Sequence, residues 1–480
     1  MSNSTNFDPG DGLAESQKMN FSTKLAYGAG DLGSAITAIL LVSYLSYFLT
    51  NVVGMAAGLA GNVRLIAGIW DAINDPIVGV LSDRTKTRWG RRYPWIICGA
   101  IPLGFFFFLH WIIPTFSSDP NANQWSLFWY YVGISILFNT AYTAVNLPYT
   151  ALTPEITQDY DERTSLNSFR FGFSIGGSIL TLLLAIVIFS VFKNQPSQQF
   201  LILGAICSLA AILPPFWCVW GTRKRVAAVG KKSRIVDTSE SLPFFEQLRI
   251  VFTNRPFLFV CGIYLFSWLA VQQTATIIPY FVANWMGLPE NVSAIVQLAV
   301  QGTALIMLFV WTAVSKRVGK KAVYFMGMIV WIIAQAGLFF LQPGQVGLMY
   351  VLAIMAGVGV STAYLIPWSM IPDVIELDEL NTGQRREGIF YGFMVLLQKI
   401  GLSIGIFIVG HALEWAGFIS GQNVTIQPPS ALLAIRLAIG PLPTIILIFG
   451  LVLAYFYPIT REVHAEILLK LIEKKRMNDQ

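Results

Sequence analysis

Hydrophobic residues along the chain fall into long apolar segments that short polar segments separate. A helix that crosses a bilayer needs about 20 mostly apolar residues, and twelve segments of the chain meet that need. They cover residues 25–50, 62–82, 94–114, 126–150, 166–192, 199–220, 256–285, 292–314, 322–341, 346–370, 387–413 and 431–457. Six segments precede a longer polar stretch and six follow it. The pattern therefore predicts an all-α integral membrane protein with twelve transmembrane helices in two six-helix halves.

The same pattern divides the chain into five parts. A polar N-terminal tail covers 1–23, and the first six-helix bundle covers 24–220. A polar linker is predicted at 221–255, the second bundle at 256–457 and a polar C-terminal tail at 458–480. The linker is expected to join the two halves on the side of the membrane that holds both tails.

Basic residues predict which side each connection faces. Of the 32 Lys and Arg residues, 28 lie in the tails and in connections on one side of the predicted bundle, and only Lys193 lies in a connection on the other side. Cytoplasmic connections of membrane proteins carry the excess of Lys and Arg. Both termini are therefore predicted to be cytoplasmic, in a multi-pass protein of the plasma membrane.

Composition narrows the functional classes. Hydrophobic residues make up 55% of the chain and charged residues 12%, whereas an average soluble domain has about 25% charged residues. A soluble enzyme, a nucleic-acid binder and a disordered scaffold are excluded on this basis. The net charge of +6 is explained by anionic lipid headgroups at the cytoplasmic face. The lipid bilayer is the predicted partner, and the sequence does not specify an oligomeric state.

Two basic loops that lie six spans apart indicate an internal repeat. One covers Gly79–Arg92 after the second span, and the other covers Ser315–Lys321 after the eighth. Two parallel repeats of six helices predict such a recurrence. The first loop resembles the G-x-x-x-D-R-x…G-R-R motif of the major facilitator superfamily. Charge that merely orients the helices is the alternative explanation.

Two carboxylates lie within the second predicted span. Asp71 and Asp75 are four residues apart and therefore share one face of a helix, with Asn74 beside that face. Two carboxylates at this spacing repel each other unless a cation or a proton lies between them. Pro76 frees a backbone carbonyl one turn earlier as a further oxygen ligand. The sequence predicts a site for Na⁺, Li⁺ or H⁺ here, and a carboxylate pair in a cytoplasmic vestibule is the alternative.

Lys399 lies midway along the eleventh predicted span. An ammonium group at that depth needs an acidic partner, and Asp71 or Asp75 is the natural candidate. Lys399 could instead bind substrate hydroxyls, or it could only brace the packing of its helix. The three readings remain open at the level of the sequence.

Other polar and aromatic residues are candidates for the substrate site. Asp31 either lines the cavity or caps a helix end, and Arg170 either reaches the cavity or serves only as an orienting charge. Thr143 either belongs to the site or packs between helices. The residues predicted to contact the substrate are Asp31, Asn146, Arg170, Tyr364, Trp368 and Lys399. Four acidic residues after the tenth span, Asp373, Glu376, Asp378 and Glu379, are predicted to form cytoplasmic gate salt bridges.

Four motifs together carry a family resemblance. They lie at Trp70–Pro76, Arg88–Trp95, Asp159–Asn167 and Gly383–Gly388. The combination resembles the glycoside–pentoside–hexuronide:cation symporter family of the major facilitator superfamily, the melibiose-permease-like carriers, from about Lys24 to Tyr457. The resemblance implies a major facilitator fold that moves a sugar together with Na⁺, Li⁺ or H⁺.

The resemblance also assigns residues. The family's cation-site pattern falls on Asp71, Asn74, Asp75 and Thr143. Its essential lysine falls on Lys399, and a sugar-site arginine falls on Arg170.

The chain departs from the family pattern on the sugar side. Ala35 and Asn146 replace two sugar-binding aspartates, and Thr150 and Tyr364 replace two cavity tryptophans. Asp31, one turn before Ala35 on the same face, is expected to compensate in part. The cation half of the pattern is therefore intact, whereas the sugar half differs.

The function predicted from the sequence is secondary active symport of a sugar or glycoside with a monovalent cation, Na⁺ or H⁺, by alternating access. A cation-coupled lysolipid or amphiphile transporter on the same scaffold is the alternative. No cofactor is expected beyond the co-transported ion. An enzyme is not expected, because no histidine has a local Ser, Asp or Glu with which it would form a metal or nucleophile pair. The sequence names neither the sugar nor the ion.

Overall fold

The computed structural model of the chain describes residues 19–157, 160–193, 195–232, 244–383, 386–421, 424 and 426–478. Every regular element in these residues is helical. Ten of the described helices are long and apolar enough to cross a membrane. A further helix is apolar but shorter, at 17 residues, and another is long but richer in polar and aromatic residues. The predicted all-α membrane fold is confirmed.

Twelve long helices of the described residues make up the bundle, and we number them α1 to α12. They are α1 Phe21–Ser43, α2 Ala57–Arg84, α3 Tyr93–Leu109, α4 Pro120–Thr150, α5 Tyr160–Val191, α6 Pro196–Lys232, α7 Arg255–Trp285, α8 Glu290–Val318, α9 Lys320–Phe340, α10 Val346–Thr382, α11 Glu387–Trp415 and α12 Pro429–Phe456. A helix in the C-terminal tail, α13, covers Arg461–Asn478.

The helices pack in the same pattern in both halves. In the first half α2 and α3 pack on α4, while α1 packs on α5 and α6. In the second half α8 and α9 pack on α10, while α7 packs on α11 and α12. Each helix thus has the partners of the helix six places away, as two parallel repeats require.

A duplicated segment makes the repeat visible in detail. Tyr47–Gly54, which follows α1, and Tyr280–Gly287, at the end of α7, share the pattern Y-F-x-x-N-x-x-G. Each contains a π-helical turn, and each ends on a glycine with positive φ, 82° at Gly54 and 66° at Gly287. Only glycine adopts that conformation without strain. The two segments face each other, and we call them the paired π turns.

The two halves meet at the end of the bundle where α1 ends and α2 begins. The rings of Tyr47 and Tyr280 lie 5.4 Å apart across the paired π turns. Farther along, α2 and α11 approach so closely that a Cβ on Gly410 would lie 2.7 Å from Ala57 O and 2.9 Å from Gly61 Cα. By the predicted orientation this closed end is extracellular.

Two helices run farther than the apolar pattern indicated. The predicted spans end at 220 and 370, but α6 continues to Lys232 and α10 to Thr382. Hydropathy detects where a helix leaves the apolar layer, whereas helical hydrogen bonding continues into polar sequence. The stretch predicted as a linker therefore includes the end of α6, and it also holds a short helix at Phe244–Thr253.

Candidate functional site

Four of the predicted side chains converge where the two halves meet. The Lys399 Nζ atom lies 2.9 Å from Asp71 Oδ2 and 2.5 Å from Asp75 Oδ2. On the other side of the carboxylates, Thr143 Oγ1 lies 2.9 Å from Asp75 Oδ1 and 3.2 Å from Asp71 Oδ1. The predicted ion pair is therefore present, and it involves both aspartates. We call Asp71, Asp75, Thr143 and Lys399 the carboxylate cluster.

The local sequence explains half of this geometry. Asp71 and Asp75 project from one face of α2, and α4 packs along α2 so that Thr143 meets both carboxylates. Lys399 comes from α11 in the other half, 324 residues away from Asp75. The cluster thus bridges the two halves.

The charges in the cluster do not balance. When both carboxylates are ionised, they share one ammonium group, and the four side chains carry one net negative charge. The side chains of Asp71, Asp75 and Lys399 are 14%, 23% and 19% exposed. Attraction between charges is stronger at partly buried sites than in bulk water. Four carboxylate oxygens and one hydroxyl oxygen are hard ligands of the kind that hard cations take.

Asn74, predicted as a fourth ligand, lies apart from this arrangement. Its side chain is buried at 4% exposure, and its Nδ2 atom has no hydrogen-bond partner within the described part of the chain. The side chain points about 100° away from Asp75 around the helix axis. Its role as a ligand stays a prediction.

A second group of predicted residues lies within the first half. The Arg170 guanidinium is 3.6 Å from Asp31 Oδ2, and Asn146 Nδ2 donates a hydrogen bond of 3.0 Å to Ser34 Oγ. Asp31 occupies the N-cap position of the helical segment Leu32–Ser43, but its side chain makes no capping hydrogen bond. The Asp31 side chain therefore pairs with Arg170 and does not cap the helix, which was one of the two alternatives that the sequence left open.

Aromatic residues form a third group in the second half. The C-half aromatic cluster consists of Tyr264, Trp268, Tyr364, Trp368 and Tyr391, with neighbouring ring centroids 5.7–6.2 Å apart. Tyr364 and Trp368 were predicted, whereas Trp268 was missed because no charged residue lies near it in α7. A Cβ on Gly401 would lie 3.2 Å from Trp268. Trp268 is therefore close to the part of α11 that carries Lys399.

Arg64 is a charged residue that the sequence analysis did not single out. It lies seven residues before Asp71 on the same face of α2. Its Nε atom is buried and has no hydrogen-bond partner among the described residues. The spacing i, i+7 from Asp71 was the signal that could have found it.

The acidic residues at the end of α10 form ion pairs inside the second half. Asp373 lies 2.6 Å from Lys320 Nζ, and Asp378 lies 3.0 Å from Arg386 Nε. The predicted salt bridges exist, but these two lie within one half and do not join the halves. Glu376 instead contacts His464 of α13 at 2.6 Å, a pairing between residues 88 positions apart.

The basic loop between α2 and α3 is tied to neighbouring helices. Arg92 lies against Asp83 at 2.5 Å and donates a hydrogen bond of 2.8 Å to Ser82 Oγ. Arg91 lies 2.6 Å from Glu155, which follows α4. The basic residues of the loop therefore bind neighbouring helices, in addition to any part they take in orienting the protein in the membrane.

The family model described as "MFS/sugar transport protein" matches the chain over residues 26–461. The chain belongs to this family. The transporter is 51% identical to the "Uncharacterized symporter sll1374" of Synechocystis sp., over 96% of this chain and 98% of that protein. It is a multi-pass membrane protein and a symporter of the major facilitator type.

The chain also resembles more distant relatives in sequence and one solved structure in fold. The transporter is 27% identical to the "Putative glycoside/cation symporter YagG" of Escherichia coli K12, over 96% of each chain. It is also 27% identical to the "Sodium-dependent lysophosphatidylcholine symporter 1-A" of Danio rerio, over 92% of this chain and 86% of that protein. The crystal structure of a D-xylose-proton symporter shares its fold, with a TM-score of 0.61 at 16% identity over 91% of this chain and 97% of that one.

Proposed function

We propose that the transporter couples the uptake of a sugar or glycoside to the entry of one monovalent cation, Na⁺, Li⁺ or H⁺, by alternating access in the plasma membrane. The ion is a co-transported substrate in this proposal, and no cofactor takes part. We propose that the protein moves its substrate across the membrane and does not catalyse a chemical reaction. We also propose that both termini are cytoplasmic.

The carboxylate cluster is the observation that supports this proposal. Its one net negative charge attracts a single cation, and Lys399 holds the same carboxylate oxygens that the cation would need. A cation that binds Asp71 and Asp75 therefore displaces the ammonium group of α11. Because α2 and α11 belong to different halves, that displacement changes the contact between the halves. A ligand that binds two conformations with different affinity shifts their equilibrium.

The substrate class rests on different support. The family description names sugar transport, and the name of YagG includes a glycoside and a cation. Aromatic rings of the kind found in the C-half aromatic cluster pack well on the apolar faces of sugar rings. The lysophosphatidylcholine symporter is equally similar by identity, so a lysolipid is the competing substrate.

Uptake by purified protein in proteoliposomes tests the proposal. Labelled D-glucose, D-xylose, methyl-β-D-glucoside, D-glucuronate and lysophosphatidylcholine are supplied with and without an inward Na⁺ gradient, and then with a pH gradient. We expect a neutral sugar or glycoside to accumulate only with one of the gradients. Accumulation of lysophosphatidylcholine alone would favour the alternative, and sugar uptake independent of both gradients would overturn the coupling.

A further inference from the structure

Three side chains of the types that bind metal ions meet where α13 packs on α10. His464 Nε2 lies 2.6 Å from Glu376 Oε2 and 3.4 Å from Asp373 Oδ1. The three ligand atoms all lie within 4.8 Å of one another. Within the described part of the chain, this is the one group of three His, Cys, Asp or Glu side chains that is so arranged. We call Asp373, Glu376 and His464 the tail triad.

The packing of two helices holds the tail triad together. Asp373 and Glu376 are three residues apart on α10 and therefore share one face of that helix. On α13, Ile467 and Leu471 are buried, at 4% and 7% exposure. They follow His464 by three and seven positions and therefore lie on its face of α13. The apolar contact that docks α13 thus also presents His464 to the two carboxylates.

A buried hydroxyl group near the tail triad has no partner. Tyr457 directly follows α12 and is 3% exposed, and its Oη atom has no hydrogen-bond partner among the described residues. Burial, and then the nearby Asp373 carboxylate, raise the pKa of the Tyr457 phenol. A buried polar group without a partner is unfavourable. This hydroxyl therefore indicates a ligand beside Asp373 that supplies the missing partner.

The charges around the tail triad favour a cation. Lys320 Nζ lies 2.6 Å and 2.8 Å from the two oxygens of Asp373, so it neutralises one carboxylate. Glu376 has the His464 ring beside it. When both carboxylates are ionised and His464 is neutral, the tail triad and Lys320 together carry one net negative charge. A cation that enters between the three ligand atoms is therefore attracted.

We infer that the tail triad binds one divalent transition-metal ion of the Zn²⁺ type, which joins α13 to α10. The site is separate from the carboxylate cluster, and its ion is not the transported one.

The ligand set selects this class of ion. Zn²⁺ binds histidine nitrogen and carboxylate oxygen at about 2.0–2.2 Å, so two of its ligand atoms in tetrahedral geometry lie about 3.4 Å apart. That is the separation of His464 and Asp373, and Glu376 reaches it by a small side-chain rotation. Mg²⁺ and Ca²⁺ prefer oxygen ligands only. A water in the fourth position, as in other zinc sites with three protein ligands, gives Tyr457 Oη its partner.

Zn²⁺ binding to purified, metal-free protein tests the inference. The protein carries no histidine tag, and the exposed Cys98 is replaced by serine, because thiolates also bind Zn²⁺. Equilibrium dialysis with Zn²⁺ measures stoichiometry and affinity, and amide hydrogen exchange reports on α13. We expect one Zn²⁺ ion per chain, slower exchange along α13 when the ion is bound, and no displacement by Mg²⁺.

Two substitutions remove ligands. Glu376→Gln removes a charged ligand with little change in size, and His464→Ala removes the ligand from α13. Loss of a side chain that only supports a metal ligand weakens metal binding about 10–100-fold, so we expect loss of a ligand to weaken Zn²⁺ binding by about 100-fold. Asp373 is not substituted, because its loss would leave Lys320 unpaired. Glu376→Gln serves alone if His464→Ala does not fold.

The matched control is His411→Ala. His411 Nδ1 also lies beside a carboxylate, 3.5 Å from Glu414 Oε2, but no third ligand joins this pair among the described residues. We expect His411→Ala to bind Zn²⁺ with wild-type affinity and to show the same slowing of exchange along α13.

The outcomes are independent of the proposed symport, because the measurements use neither a sugar nor an ion gradient. A wild-type protein that binds no Zn²⁺ would overturn the inference. Equal Zn²⁺ binding by the wild type, Glu376→Gln and His464→Ala would place the ion elsewhere and also overturn it. Zn²⁺ binding that leaves amide exchange along α13 unchanged would show that the ion does not join α13 to α10.

Discussion

At the scale of single residues, the carboxylate cluster carries one negative charge more than its lysine neutralises. Asp75→Asn keeps the side-chain size and one oxygen but removes that excess charge. We expect cation-stimulated uptake to fall at least tenfold, because the site no longer attracts a cation at its full strength, while sugar binding in the absence of a gradient persists. Uptake with the cation gradient measures the first quantity, and the thermal shift of the purified variant with the transported sugar, in buffer without Na⁺, measures the second.

A matched substitution controls for this loss of charge. Asp119 caps α4 by accepting a hydrogen bond of 3.0 Å from Ala122 N, and asparagine caps a helix about equally well. Asp119→Asn should therefore transport like the wild type. Unchanged cation dependence in Asp75→Asn would show that the ion binds elsewhere.

Lys399 is expected to compete with the cation for Asp71 and Asp75. Lys399→Gln leaves two carboxylates facing each other, so we expect a loss of about 1–3 kcal/mol in stability and a larger thermal shift with Na⁺ than in the wild type. Adding Asp71→Asn should restore part of the stability. Thermal unfolding of the four proteins in detergent, as a double-mutant cycle, gives the coupling energy. If the stability effects of the two substitutions were strictly additive, and if Lys399→Gln kept the wild-type Na⁺ response and the wild-type coupling of uptake to the cation, Lys399 would be only a packing residue.

At the scale of elements, α13 is held to α10 by contacts from both of its ends. His464 lies 2.6 Å from Glu376, and Lys474 donates a hydrogen bond to Leu380 O at 2.9 Å. We expect His464→Ala to weaken the contact between α13 and α10. Amide hydrogen exchange along α13 should become faster, and the free energy of opening that it reports should fall by about 1 kcal/mol, the value of one hydrogen bond.

An ion pair on the exposed face of the same helix is the control. Lys470 and Glu466 are 2.6 Å apart and more than half exposed, and such pairs contribute little. The hydrogen bond from Lys470 lowers the pKa of Glu466 below its ordinary value, so the pair is intact at neutral pH and is lost only as the pH falls through that lowered pKa. Lys470→Ala should leave the exchange of α13 unchanged. Equal loosening in both variants would mean that His464 does not dock the helix.

At the scale of the whole molecule, the paired π turns close one end of the bundle. Asn51 Nδ2 lies 3.5 Å from Asn284 Oδ1 across them. With the exposed Cys98 replaced by serine, Asn51→Cys and Asn284→Cys should be joined by a short, cleavable thiol reagent. We expect uptake to fall at least tenfold and to return on reduction, because alternating access requires the halves to separate there. Each single cysteine variant, treated alike, should keep its uptake. Full uptake by the joined protein would exclude this end as a gate.

Much of the architecture could be predicted from the sequence, because apolar segments long enough to span a bilayer are a local signal. The Asp71–Asp75 pair was equally local, since residues four apart share a helix face. The ends of α6 and α10 could not be placed this way, because helices continue into polar sequence. The Y-F-x-x-N-x-x-G repeat of the paired π turns was present in the sequence but became noticeable only when the structure set its two copies face to face.

The sequence by itself determined that this chain crosses the membrane in two six-helix halves, and it placed two carboxylates and a lysine at membrane depth. Those features follow from residue type and helical period, which act over short distances. Only the tertiary structure decided that Lys399 binds both aspartates and that Arg170 pairs with Asp31. Such pairings join helices that are far apart in the chain, and only the packing of α11 on α2 and of α5 on α1 brings their side chains together.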